Sequence, residues 1–352
     1  MQNWTGCLYV SLAIVLSASP IAAQDSQDKF QSNPSRLLRV GVIGLDTSHS
    51  IAFTKAFNQD PPTAEMQHCR VVAAYPHGSP DIQSSVSRIP KYTADIAALG
   101  VEIVDSIDQL LQQVDCVLLE TNDGRPHLDQ ALQVFRAGKP VFIDKPTGSN
   151  LSEVVAIFRA AKHYDVPMFS SSSLRYSTGP QEIRAGKVGT VLGCSTFSPC
   201  SLEKTHVDLF WYGIHGVEML YTCMQSGCES VSHTSTVDFE LAVGRWSDGR
   251  IGTFRGIRGG KPGYGGTVFG SEAIGPVGKY DGYTPLVQQI AKFFRHGKVP
   301  IDPAETIELY AFMQAAYESK KRGGAVVTIA EVMSEASGKA DKLLAGRLEP
   351  TK

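Results

Sequence analysis

The sequence lacks the features that mark nucleic-acid-binding, zinc-finger and membrane-spanning proteins. The net charge is −2 at pH 7 and no block of like charges occurs, so nothing in the chain attracts a polyanion or an acidic membrane surface. The seven cysteines form no CxxC pair, which speaks against a structural zinc site. The apolar segment at residues 8–15 is too short for a membrane anchor.

The first 23 residues have the outline of an export signal. The apolar segment is followed by small residues that suit cleavage after Ala23, although no Lys or Arg precedes it. We therefore expect a cleaved signal peptide over residues 1–23, a disordered polar lead-in over residues 24–36, and a periplasmic or secreted mature protein with no membrane anchor. Export permits disulfides, and the candidates are the close pairs Cys194/Cys200 and Cys223/Cys228.

The order of apolar segments predicts an α/β protein with two unlike halves. Short apolar strands alternate with amphipathic helices at first, as in successive βαβ units, and from about residue 191 β-like segments follow one another between glycine-rich loops. We expect a Rossmann-type, doubly wound parallel sheet over residues 37–170. An α+β domain with an open, mostly antiparallel sheet should cover residues 171–330, and a helical tail residues 331–352.

One lysine is placed where a ligand should bind. Lys145 follows the predicted strand at residues 141–144 and precedes Pro146, which breaks the chain. In open parallel sheets, ligands bind outside the carboxyl ends of the strands. Lys145 is therefore expected to face the ligand crevice.

Four segments occur in the order found in one known family. Residues 40–44 look like a nucleotide-binding turn, and residues 121–127 are similar to the family's loop after the fourth strand. Residues 144–146 resemble its Glu-Lys-Pro signature with Asp in place of Glu. Residues 212–218 resemble its active-site helix, in which a histidine is followed three residues later by an acid. By this ordered set, which spans residues 38–329, the chain resembles the Gfo/Idh/MocA family of nicotinamide-dependent oxidoreductases.

The resemblance implies a cofactor, a set of contacts and a self-association. Lys145 would stabilise the developing alkoxide and His215 would act as acid or base, while Glu218 orients its helix. NAD or NADP, tightly bound, would be the cofactor, and a homo-oligomer would form through the open sheet. The cofactor contacts implied are Gly41, Gly44, Asp46, Thr47, Ser48, His49, Thr121, Asn122, His127, Asp144, Lys145 and Arg175. The substrate contacts implied are Asp208, Trp211, Tyr212 and Tyr264. No metal is expected, because His206, Asp208, His215 and Glu218 match no metal spacing.

The chain departs from the family pattern at three places. The family has glycines at the positions of Gly44, Asp46 and His49; a carboxylate at Asp46 works against close approach to the pyrophosphate, and Asp46 or Ser48 could instead cap the next helix. The second strand ends without the acid that binds the adenosine ribose, so the choice between NAD and NADP stays open. Trp211 stands where family members often have Asp.

Three functions remain open at this point. The first is an exported oxidoreductase acting on a secondary hydroxyl or ketone of a sugar or sugar derivative. The second is an NAD-dependent glycosidase that works by transient oxidation, elimination and re-reduction, since free NAD(P) is scarce outside the cytoplasm. The third is a non-catalytic carbohydrate-binding protein on a degenerate dehydrogenase fold, which Asp46, His49 and Trp211 favour and the pairing of Lys145 with His215 opposes.

Overall fold

The computed structural model describes residues 36–350. The predicted signal peptide, and all of the predicted lead-in except Arg36, lie outside the described residues. Within residues 36–350 no helix combines the length and the apolar character needed to cross a membrane.

The first half is built on a six-stranded parallel sheet with the strand order β3-β2-β1-β4-β5-β6. Its strands are β1 (Leu38–Ile43), β2 (Cys69–Tyr75), β3 (Glu102–Ile103), β4 (Cys116–Leu119), β5 (Val141–Ile143) and β6 (Met168–Ser170). The helices between them are α1 (Ser48–Phe57), α2 (Gln83–Ala98), α3 (Ile107–Gln113), α4 (His127–Arg136) and α5 (Leu151–His163). The order reverses between β1 and β4, and this switch point opens a crevice at the carboxyl ends of the strands.

Local sequence explains most of these elements. Strands β4 and β5 are apolar and buried at every position, as expected for a parallel sheet covered on both faces. Thr47, Ser106 and Asn150 cap the helices α1, α3 and α5 by accepting a hydrogen bond from a backbone amide of the first turn. The cap of α1 is thus Thr47, and the alternative that Asp46 or Ser48 caps it is wrong.

The second half is built on a seven-stranded mixed sheet with the order β12-β11-β7-β10-β9-β8-β13. Neighbouring strands are antiparallel except for the parallel pair β7 and β10. Its strands are β7 (Val191–Pro199), β8 (Cys228–Ser235), β9 (Phe239–Trp246), β10 (Ile251–Ile257), β11 (Gly265–Gly270), β12 (Ile274–Pro276) and β13 (Val327–Thr328). The expected α/β architecture, a Rossmann-type sheet followed by an open and mostly antiparallel one, is confirmed.

The helices of the second half join the two sheets. They are α6 (Thr178–Arg184), α7 (Asp208–Trp211), α8 (Ile214–Met224), α9 (Thr284–His296), α10 (Pro303–Lys321) and α11 (Ile329–Leu344). Helix α8 packs on β7 and α10 packs on β8, so they cover one face of the mixed sheet. Helix α9 returns to the first half, where Leu286, Ile290 and Phe293 share a core with β1 and β2, and α11 packs on α5.

Among the β-like segments expected after residue 191, β8 and β9 form a hairpin that turns at residues 236–238. The expectation of disulfides is wrong. Cys194/Cys200 and Cys223/Cys228 are not disulfides, because the six described cysteines are free, buried thiols. Folding places Cys194 of β7 close to Cys223 of α8, so nearness in sequence did not predict nearness in space.

Candidate active site

A cavity of about 140 Å³ lies at the carboxyl ends of β1, β4 and β5. Side chains from both halves of the chain line it. The first half contributes Thr47, Ser48, His49, Arg88, Asn122 and Lys145. The second half contributes Ser173, Leu174, Tyr212, His215, Tyr264, Tyr280 and Tyr283. Both predicted catalytic residues, Lys145 and His215, thus reach one cavity.

Lys145 supplies a buried cation. It directly follows Asp144 at the end of β5 and is only 6% exposed. Its Nζ lies 3.6 Å from Oδ2 of Asp144. An ammonium held in a water-poor cavity exerts a stronger electrostatic effect than one in solvent.

His215 supplies a buried imidazole from the first turn of α8. Its Nδ1 lies 2.7 Å from Oγ of Ser172, which leaves Nε2 as the nitrogen available to a ligand. Burial, and next the positive charge of Lys145, lower the pKa of His215 well below its ordinary value. His215 is therefore neutral at neutral pH and can accept a proton.

Four tyrosines form an aromatic wall of the cavity. The hydroxyls of Tyr212 and Tyr264 lie 3.4 Å apart, and the Tyr212 ring meets the His215 ring edge-on at 5.0 Å. Tyr280 and Tyr283 continue the wall and lie 5.9 Å apart between ring centres. Tyr212 and Tyr264 were predicted from the sequence, whereas Tyr280 and Tyr283, which belong to no recognised motif, were not.

Asp144 stands in a cluster of buried ionisable groups behind Lys145. His49 Nδ1 lies 2.9 Å from Oδ2 of Asp144, and Glu120, the residue after β4, joins them. Burial alone would raise the pKa of Asp144, but His49 and Lys145 outweigh it and lower that pKa. Burial and the charge of Asp144 raise the pKa of Glu120 well above its ordinary value. Glu120 was not predicted from the sequence, although an acid that directly follows an apolar parallel strand indicates a residue at the ligand crevice.

Three of the predicted site residues that do not line the cavity are engaged by other side chains. Arg175 is buried between the carboxylates of Glu218 and Glu305. Asp208 pairs with Lys320 at 2.6 Å, and it lies in α7, which is separated from α8 by residues 212–213. Trp211 packs against the ring of His206 at 4.9 Å.

Other predicted residues shape the crevice from behind. A Cβ at Gly44, where φ is +94°, would come within 2.3 Å of the Thr121 amide nitrogen, so glycine allows β1 to turn closely past β4. A Cβ at Gly41 would meet Leu110. His127 is fully buried, with Nδ1 at 3.1 Å from the carbonyl oxygen of Thr147 and Nε2 at 2.8 Å from that of Thr121.

A group of side chains spans the crevice beyond the cavity, and we call Asp46, Ser79, Ser85 and Asp123 the clasp. Asp46 accepts hydrogen bonds from Oγ of Ser85 at 2.7 Å and from the Asn122 amide at 2.9 Å. Ser79 donates to the carboxylate of Asp123. Asp46, Ser79 and Asp123 lie in the loops after β1, β2 and β4, and Ser85 lies in the first turn of α2. The clasp therefore joins the three segments that border the first half of the crevice. Burial raises the pKa of Asp46.

The family comparison agrees with this geometry. Residues 38–171 match the model of the Gfo/Idh/MocA oxidoreductase family, described as an NAD-binding Rossmann fold. The site and the fold define the class of NAD(P)-dependent oxidoreductases. The match covers the Rossmann half of the chain, and over these residues the chain is similar to that family.

Solved structures show the same fold over the larger part of the chain. Scyllo-inositol dehydrogenase from Lactobacillus casei, solved with NAD(H) and scyllo-inositol, is 14% identical, with a TM-score of 0.67 over 84% of this chain and 100% of that one. An oxidoreductase from Thermotoga maritima is also 14% identical, with a TM-score of 0.67 and the same coverage. A search of curated proteins finds no match to the chain.

Without any rearrangement, the residues of the crevice fit the nicotinamide and pyrophosphate end of a nicotinamide dinucleotide. In a Rossmann fold the pyrophosphate lies at the first helix N-terminus, and the half of the sheet after the switch point takes the nicotinamide. Thr47 and Ser48 at the start of α1, with Asn122 and Lys145 after β4 and β5, line that end. The adenosine end, beside β2, is bridged by the clasp. The cavity alone is also smaller than the roughly 300–1,000 Å³ of pockets that hold drug-sized ligands.

Proposed function

We propose that this protein oxidises a secondary hydroxyl, or reduces the corresponding ketone, of a sugar or sugar derivative. Lys145 polarises the substrate oxygen and His215 carries the proton. The observation that supports this most is the meeting of a buried cation and a neutral buried imidazole on one cavity.

The two residues have complementary tasks. An alcohol is a very weak acid, so the oxygen needs a positive neighbour as its proton leaves, and Lys145 supplies one. His215 takes that proton at Nε2, while Nδ1–H donates to Oγ of Ser172 and fixes the ring. A bound nicotinamide ring supplies hydride transfer. In the reverse direction, His215 returns the proton to the oxygen.

The aromatic wall supports a carbohydrate as the substrate. Tyrosine rings offer flat apolar faces to the C–H side of a sugar, and their hydroxyls bond its oxygens. Tyr212 and Tyr264 are the proposed substrate contacts, joined by Tyr280 and Tyr283. Asp208 and Trp211 are not among them, since neither lines the cavity. The small-molecule partner of the scyllo-inositol dehydrogenase relative is a polyol of this class.

The clasp bears on how the cofactor is held. A whole dinucleotide enters only after Asp46 parts from Ser85 and Ser79 parts from Asp123, so binding and release are slow. A slowly exchanging cofactor suits the periplasmic or secreted location predicted from residues 1–23. We propose that NAD or NADP stays bound between turnovers.

A retained cofactor also favours a second candidate function. It must be returned to its starting redox state in each cycle, either by a second sugar or within one substrate. In the second case, a transient ketone acidifies the neighbouring C–H, and the glycosidic group is eliminated to leave an unsaturated ketone. Water then adds to this ketone and hydride returns, so the net reaction is hydrolysis. The clasp is the observation that supports a glycosidase as the second candidate function.

Self-association is proposed through the open face of the mixed sheet. That face exposes a group of apolar side chains, and contiguous exposed apolar surface marks interaction sites. They are Leu192, Phe197, Phe239, Ile251, Phe269 and Ile274.

Replacing Lys145 tests the proposed function. We expect Lys145→Ala to lower kcat by roughly 100- to 1,000-fold, the usual cost of removing one group that stabilises a developing oxyanion. Turnover is measured by product analysis on a panel of polyols and intact glycosides, which also separates net oxidation from glycoside cleavage. The control is Lys279→Ala, because Lys279 is exposed and lies outside the cavity. Equal turnover in the Lys145 variant and the control would remove Lys145 from the mechanism.

A further inference from the structure

Three segments at the carboxyl edge of the parallel sheet bring one histidine and two acids together beside the cavity. His49 lies in the first turn of α1, Glu120 follows β4 and Asp144 follows β5. One potential ligand atom from each lies within 4.8 Å of the other two. All three residues are buried, with exposures of 5%, 0% and 0% in that order.

The hydrogen bonds of this cluster are incomplete. Both carboxylate oxygens of Glu120, and Oδ1 of Asp144, have no hydrogen-bond partner among the described residues. The two positive or proton-bearing neighbours, Lys145 and His49, both lie against the other oxygen of Asp144. A buried carboxylate without a partner costs a large amount of free energy. Glu120 therefore needs either a cation or a proton.

The donor set selects among cations. One imidazole nitrogen and two carboxylates suit Zn²⁺ or Mn²⁺, whereas Mg²⁺ and Ca²⁺ prefer oxygen ligands alone. Three protein ligands leave a coordination position open, as in catalytic metal sites. An entry path exists because His49 lines the cavity.

We propose that His49, Glu120 and Asp144 form a binding site for one divalent transition-metal ion such as Zn²⁺ or Mn²⁺. The ion lies behind Lys145, at the edge of the cavity. It neutralises the two carboxylates, and its open position faces the ligand space. This metal site goes beyond the proposed oxidoreductase chemistry, which does not require it. No metal was expected from the sequence.

Cobalt titration of the full chain tests the site. The protein is stripped with a chelator and titrated with CoCl₂, and visible absorption bands report cobalt held by the protein; metal analysis of the untreated protein identifies the native ion. We expect one Co²⁺ per chain. Glu120→Gln and His49→Asn should each weaken binding by roughly 10- to 100-fold, since even groups around a metal's ligands have effects of that size.

A matched carboxylate serves as the control. Glu308→Gln changes a half-buried glutamate that accepts hydrogen bonds from the Gly227 and Cys228 amides at 2.8 Å, and it should bind Co²⁺ like the unchanged chain. Absence of saturable Co²⁺ binding in the unchanged chain would overturn the site, whether or not the variants fold. So would equal affinity in Glu120→Gln. If the unchanged chain binds no cobalt and the Glu120→Gln variant is more stable than it, Glu120 carries a proton instead of contacting a metal ion.

Discussion

Asp46 is predicted to control how fast the dinucleotide enters. It occupies the position where the family has its second glycine, and its carboxylate ties the turn after β1 to Ser85 and to the Asn122 amide. Asp46→Gly removes both contacts and restores the residue that lets the backbone approach the pyrophosphate. We expect nucleotide association to become faster.

The size of the effect follows from the contacts that are lost. Each hydrogen bond to a charged group contributes about 1.5–3 kcal/mol, so two contribute at least about 3 kcal/mol to the closed state. Each 1.4 kcal/mol is tenfold in an equilibrium, so the open fraction should rise by on the order of 100-fold. When opening precedes binding, the apparent association rate rises by the same factor.

The assay is stopped-flow mixing of nucleotide-free protein with NADH, followed by nicotinamide fluorescence. Asp46→Asn is the matched control, because its amide oxygen can still accept from the Asn122 amide while the charge is lost. We expect the Asn variant to gain less than about tenfold, since part of the closed state survives. The same association rate in the unchanged chain and in Asp46→Gly would refute the clasp as the barrier to entry.

Two further predictions concern histidines. Ser172→Ala should lower kcat by about tenfold and move the acidic limb of the pH–rate profile to lower pH, because the Ser172 hydroxyl stabilises the protonated His215 ring. The control variant Ser171→Ala removes a hydrogen bond to Glu218 instead and should leave that limb in place. An unmoved limb in Ser172→Ala would contradict this role of Ser172. His206 accepts a hydrogen bond from the Gly124 amide at 3.1 Å, and burial lowers its pKa from 6.5 to about 4. The unfolded chain therefore takes up the proton first, and the free energy of unfolding should fall by about 3 kcal/mol between pH 6.5 and pH 4. Urea unfolding across this range should show a smaller fall in His206→Gln, and an equal fall would contradict the assignment.

The sequence predicted the parts of the site that depend on strand ends. The order of apolar segments was enough to place Lys145 at the end of β5, because side chains that follow parallel strands meet at one edge of the sheet. His215 was predicted from the motif at residues 212–218. Both reach the cavity as expected.

Contacts that depend on tertiary packing could not be predicted. Asp208 was expected to contact the substrate, but the helix is interrupted at residues 212–213, and Asp208 pairs with Lys320 instead. Arg175 was expected at the cofactor, yet it joins Glu218 to Glu305, a residue about 130 positions later. Local sequence patterns do not predict pairs of side chains that are so far apart in the chain.

The clasp and the Glu120 cluster were missed for a related reason. Ser79, Ser85 and Asp123 are ordinary turn and helix residues in sequence, and only the side-by-side placement of β1, β2 and β4 makes them partners. Helix α2, which carries Ser85, was itself not predicted. It has Pro90 in its interior and only two buried residues, Ser85 and Ile96, so its apolar periodicity is weak.

The most direct measurement of the central claim is the identification of the nucleotide held by freshly purified protein. The protein is denatured, and the released small molecules are quantified by mass spectrometry. We expect NAD(H) or NADP(H) at close to one molecule per chain. The proposed cofactor site would be contradicted if the purified protein releases no nucleotide and neither the unchanged chain nor Asp46→Gly binds added NAD(H) or NADP(H).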